Sequence, residues 1–130
     1  MTGVPREEIS PDDLERVRQA AEEHFRQYFD GSLRSMRVVL TTYHAARTAI
    51  QRMPGAPELP PDPRPVYLVV VEGEFLRRPD QRSGTWLAIY VTPAFQARGH
   101  SGPASPGHPI PDRVINLDLN QLGRVYQIAP

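Results

Sequence analysis

The sequence predicts an α+β fold, a curved antiparallel sheet of three to five strands packed against two helices. Three observations carry this. Apolar residues recur at helical spacing near the N-terminus, short β-branched runs follow one another through the second half, and turn residues rather than helices separate most of those runs. The chain of 130 residues is read as a single domain over residues 1–130.

The first element opens at Ser10-Pro11-Asp12-Asp13, where a capping hydroxyl, a first-turn proline and two carboxylates meet the positive end of a helix dipole. Leu14, Val17, Ala21, Phe25 and Tyr28 then recur three and four residues apart, and Asp30-Gly31 supplies the stop. A long helix over 11–29 follows. The sheet and a second helix are expected within 36–128. Met36 to Thr41 is a β-branched run and reads as a strand. Thr41 or Thr42 caps a helix that runs through Met53 and ends at Pro54, with Ala45, Ala46, Ala49, Ile50 and Met53 as its packing face.

Six prolines among the twelve residues 54–65 predict an extended connector with no ladder. Val66 to Val71 is apolar at every position, as expected of a strand covered on both sides, and Gly73 marks a bulge in its continuation. A polar turn over 77–84 leads to Thr85–Val91, so the two strands form an antiparallel hairpin. Leu87, Ile89 and Val91 share one face of the second strand, and Trp86, Ala88 and Tyr90 share the other. Residues 92–112, rich in Gly, Pro and Ser, predict a long irregular loop. Arg113–Leu119 and Arg124–Ile128 read as the last strands. The simplest assembly lays both helices on one sheet face.

Composition excludes several functions. Fifteen basic residues balance fifteen acidic ones, so the basic excess of a general nucleic-acid binder is missing. No cysteine is present, which removes thiolate zinc sites, disulfides and a cysteine nucleophile, and leaves the redox compartment open. No apolar run reaches membrane-spanning length, and Met1–Ser10 holds no signal-peptide core. All fifteen basic residues are Arg. A GC-rich genome accounts for that; the functional reading is anion binding by guanidinium groups.

Four stretches resemble cystatin-like and PepSY-like small α+β modules: Arg37–Ala46, Pro65–Val70, Thr85–Val91 and Asn120–Val125. The pattern is a capped helix with a small residue, two extended strands and an acidic-x-x-Thr-Gly-x-Val hairpin. Asn120 replaces the acid here, Leu122 replaces the threonine, and His44 stands where an acid is common. The resemblance implies a position outside the cytoplasmic membrane, as part of a longer exported protein, and a role in peptidase regulation or sensing.

Candidate chemistry is sparse. His100 and His108 lie in the long loop. Two histidines do not make a metal site, which needs three or four converging ligands, so no metal and no cofactor is expected. Gly99-His100-Ser101-Gly102-Pro103 departs from a nucleophile elbow in glycine spacing and lacks the following helix, so Ser101 reads as a turn residue. Glu72, Glu74 and Asp118 can supply a carboxylate pair for acid–base work, but a solvated sheet face explains them equally well. His24 reads as boundary packing and His44 as solvated. The missing nucleophile, base and cofactor set argues against an enzyme.

Trp86 and Tyr90 are the most informative pair. With Tyr67 and Val69 joining them across the hairpin, they form an aromatic and β-branched face that the helices leave open. The leading expectation is a non-catalytic binding or regulatory module acting through that face, with His100 and His108 on its loop rim. Its partner is another protein or a second copy, most simply in a two-fold dimer, and not a nucleic acid or a membrane. The alternatives are a small-ligand protein or enzyme with a pocket between helix and sheet, and a structural subunit joined through its proline-rich segments.

Overall fold

The structure, a computed structural model, describes residues 9–50, 55, 57–79, 81–104 and 118–128. The first helix, α1 (Pro11–Tyr28), begins as its sequence dictates, with the Ser10 hydroxyl accepting from the Asp13 amide at 3.1 Å. It buries Val17, Ala20, Ala21, His24 and Phe25. The chain then passes into β1 (Phe29–Thr42) with no loop between them. The expected strand over 36–41 is therefore only the second half of a longer one. The first half forms because it pairs with the far end of β2 (Pro65–Arg77), with Phe29 opposite Arg77 and Gly31 opposite Phe75. Asp30-Gly31 is not the helix stop: α1 already ends at Tyr28, and Gly31 lies within β1. Its φ is +132°, and a Cβ there would lie 2.3 Å from the Glu74 carbonyl oxygen. Only glycine allows that approach.

The second helix, α2 (Tyr43–Ile50), starts at the expected cap, where the Thr42 hydroxyl accepts from the Ala45 amide at 3.1 Å. Residues 51–54, where this helix was expected to continue and end, lie outside the described residues. The connector before β2 runs back beside the start of α2. The Arg64 carbonyl accepts from Tyr43 N–H at 2.9 Å, and the Asp62 carbonyl accepts from His44 N–H at 3.0 Å. Two amide groups that the helix itself cannot satisfy are thus paired.

Strand β3 (Arg82–Val91) follows a turn of four residues, shorter than the polar stretch suggested, because both strands extend into it as far as the Arg77–Arg82 pair. Strand β4 (Ala97–Ala104) lies inside the expected loop 92–112, and so corrects it. Its residues have little β-propensity; pairing with β3 makes the strand. Residues 113–117 lie outside the described residues, and the end of the expected strand there is instead a single turn of 3-10 helix, Leu119–Gln121, capped by Asp118. The last strand, β5 (Val125–Ile128), pairs with Met36–Val39 of β1. The result is a five-stranded antiparallel sheet in the order β4-β3-β2-β1-β5.

The helices lie on opposite faces, not on one. On the first face α1 packs Val17, Ala21 and Phe25 against Val38, Val69, Leu87 and Ile89. On the second, Tyr43, Ala46 and Ile50 of α2, with Leu119, pack against Val39, Leu68, Val70, Trp86 and Tyr90. The uniformly apolar run of β2 follows from this, since its two faces both meet core. No helix among the described residues is long and apolar enough to cross a membrane.

Candidate functional site

The predicted interface residues do not share a face. Tyr67 pairs with Val91 and Val69 with Ile89, which places both under α1, whereas Trp86 and Tyr90 point to α2. A one-residue bulge explains the difference. From Arg77–Arg82 to Phe75–Gly84 the register is uninterrupted; it then slips between Glu72 and Phe75, and beyond the slip Tyr90 stands opposite Leu68, while Tyr67 and Val69 share the other face with Val91 and Ile89. Nor is the aromatic face open. Trp86 is 3% exposed and Tyr90 6%. Tyr67 and Val69 are buried as well.

The other candidates are also placed. His100 is not on an exposed loop rim: it lies half-buried on β4. His108 lies outside the described residues. The Ser101 hydroxyl is 3.1 Å from that of Tyr90. Glu72 accepts from Arg37 at 3.2 Å, while the Asp118 carboxylate caps the 3-10 turn, so the two carboxylates are engaged separately. His44 is 3.1 Å from the Pro60 carbonyl oxygen through Nδ1.

What the fold does bring together is a cleft of about 660 Å³ at one end of the sheet. Helix α2 supplies Tyr43 and Arg47, one helical turn apart, and the end of the connector supplies Arg64 and Pro65. Tyr90, Thr92 and Pro93 come from the end of β3, and Arg98, Gly99 and His100 from β4. The guanidinium carbons of Arg47 and Arg64 stand 5.0 Å and 4.9 Å from the centre of the Tyr43 ring. That ring stacks on Tyr90 at 6.5 Å and 23°. Arg64 grips Asp62 through two bonds of 2.9 and 2.7 Å, and Arg47 approaches the same carboxylate at 3.9 Å. These hydrogen bonds, chiefly from Arg64, hold the Asp62 carboxyl at about 2, so it is ionised at neutral pH. Arg98 donates to the Gln96 side-chain oxygen at 2.5 Å, a neutral partner. Three cations and one neighbouring carboxylate leave the cleft with a positive balance.

No family model, curated protein or solved structure matches the chain.

A second cluster lies on the α1 face. His24 Nε2 and His100 Nδ1 are 2.8 Å apart, joining α1 to β4. The Tyr28 and Phe29 rings pack against His100 at 5.7 and 5.5 Å. Burial, and then the neighbouring His100, push His24 down to about 4. Burial, and then the Arg77 charge, lower His100. The consequence for stability has a definite sign. The unfolded chain takes up a proton on His24 below about pH 6.5, and the folded chain resists until about pH 4. Stability is therefore expected to be intact above pH 6.5 and to fall between pH 6.5 and 4, by about 2 kcal/mol once solvent screening at the sheet edge reduces the full linkage value of about 3 kcal/mol. Urea unfolding of the wild type and of His24→Gln at both pH values checks this, since the variant should lose less.

Sequence reasoning missed Tyr43, Arg47, Arg64 and Arg98. The one available signal was the exclusive use of arginine, which raised guanidinium anion binding without selecting among fifteen residues.

Proposed function

We propose that this protein is a non-catalytic binding module that takes a small ligand carrying a carboxylate- or phosphate-type group in the cleft between α2, the start of β2 and the β3–β4 turn. The observation that carries the proposal is the convergence of Arg47, Arg64 and Arg98, from three separate segments, on one concave site that also holds Tyr43 and Tyr90. Guanidinium forks match planar or tetrahedral oxyanions, and aromatic neighbours supply contact area for the rest of such a ligand. What favours the cleft over the sheet face is the burial of Trp86 and Tyr90 within the single chain. A regulatory role outside the cytoplasm rests on the resemblance of the sequence to cystatin-like and PepSY-like modules alone.

Titration calorimetry with sulfate, with a small dicarboxylate and with glycerol as the uncharged control tests the reading. The anions are expected to bind and glycerol not to. Arg98→Ala should weaken anion binding about tenfold or more, the effect of one lost charge-assisted hydrogen bond. Arg34→Ala, at an exposed position on β1, should leave it unchanged. Equal binding by both variants would remove the cleft from consideration.

A further inference from the structure

The histidine pair sits where it can govern that cleft. Strand β4 is the edge of the sheet, bonded through its backbone to β3 alone among the described strands. Its His100 ring is tied to α1 on one side of the sheet, while residues 98–100 form a wall of the cleft. A 2.8 Å contact between two ring nitrogens requires one donor and one acceptor. At least one imidazole must therefore be neutral, and a second proton turns the bond into a repulsion.

We propose that the His24–His100 pair is a proton-operated clasp, which holds β4 and its Arg98 wall against α1 at neutral pH and releases them in acid. Its effect on ligand binding rests on the anion-cleft reading above; the release of β4 does not.

The surroundings favour this behaviour. Tyr28 packs on the pair from α1, Phe29 from β1, and Ile89 stands opposite His100 on β3. The charged neighbour is Arg77 at the end of β2, which opposes any cation at His100. Uncompensated protonation is relieved by separating the rings, and an edge strand can move without breaking the central ladders. The closed form binds fewer protons than the open form, so acid shifts the population toward the open one.

The direction distinguishes a clasp from plain electrostatics. Added positive charge on His100, which lines the cleft, would tighten anion binding in acid, whereas release of the Arg98 wall weakens it. Sulfate is the probe, because its charge is constant across the range. Calorimetry on the full chain should show affinity falling about tenfold from pH 7.5 to 4.5. A His24→Gln/His100→Asn double variant puts amide groups near the two ring nitrogens without a titrating proton, and its affinity should change less than about twofold. Unchanged or tighter sulfate binding by the wild type at pH 4.5 overturns the proposal.

Amide hydrogen exchange of residues 97–101, corrected for the intrinsic pH dependence of exchange, supplies an independent readout. Protection should be lost at pH 4.5 in the wild type and kept in the double variant. If sulfate binds at neither pH, the anion-cleft reading fails and the exchange result alone decides the clasp. Equal protection of the wild type at both pH values overturns it.

Discussion

Replacing Trp86 by alanine is expected to destabilise the protein by about 3–5 kcal/mol, the usual cost of removing a large aromatic side chain from a packed core. Trp86 is 3% exposed and lies on the α2 face of β3, in one cluster with Leu68, Val70, Ala88 and Tyr90. Truncation leaves a void that a sheet covered on both sides has little freedom to close. Urea unfolding at pH 7.5 reads the effect as a lower midpoint at unchanged slope. A surface anchor would behave in the opposite way: stability would move by less than about 0.5 kcal/mol while association changed. That result would return Trp86 to the role its position in the sequence first suggested. The indole N–H has no hydrogen-bond partner among the described residues. Trp86→Phe removes that buried donor along with some volume, so its expected cost is smaller, about 1 kcal/mol.

The second large effect is expected at Gly73. A Cβ built there would stand 2.2 Å from the Ser32 carbonyl oxygen and 2.9 Å from the Leu33 Cα. Both are backbone atoms, so no side-chain rotation relieves the clash, and β1 and β2 must separate. Gly73 borders one register slip and lies inside the other: it pairs with Leu33 where β1 slips between Leu33 and Ser35, and it falls between Glu72 and Phe75, where β2 slips against β3. Gly73→Ala should therefore cost about 3 kcal/mol and disturb the register that assigns side chains to the two faces. Thermal unfolding gives the first quantity, and amide exchange along β1 and β2 gives the second. A variant as stable as the wild type with unchanged exchange would contradict the role assigned to this glycine.

The bulge shows where sequence reading stops. Gly73 was legible as a bulge, because glycine inside an apolar strand marks one. Its consequence was not legible. Val66–Val71 is apolar on both faces, so no alternation reports which face meets which partner. One inserted residue then decides whether Tyr67 lies beside Tyr90 or behind it. The opposite placement of the helices has the same origin: a two-faced apolar strand requires cover on both sides, but nothing local says which helix takes which.

The cleft and the histidine pair were less legible still. Arg47, Arg64 and Arg98 are separated by long stretches of chain and are surrounded by ordinary polar residues. They meet because the connector folds back along α2 and because β4 adds to the edge of β3. His24 and His100 are 76 residues apart, and each read sensibly alone, one as boundary packing and one as a loop residue.

By itself the sequence determined what depends on near neighbours. The Ser10 and Thr42 caps, the amphipathic face of α1, the two-faced core strand, the face assignment along β3 and the α+β class all follow from spacing and local backbone preference. Tertiary structure alone decided the long first half of β1, the existence of β4, the cover on both sheet faces and the groups that meet in the cleft. Those features arise from backbone pairing and side-chain convergence between distant segments. Such contacts depend on register and strand order, which local periodicity does not encode.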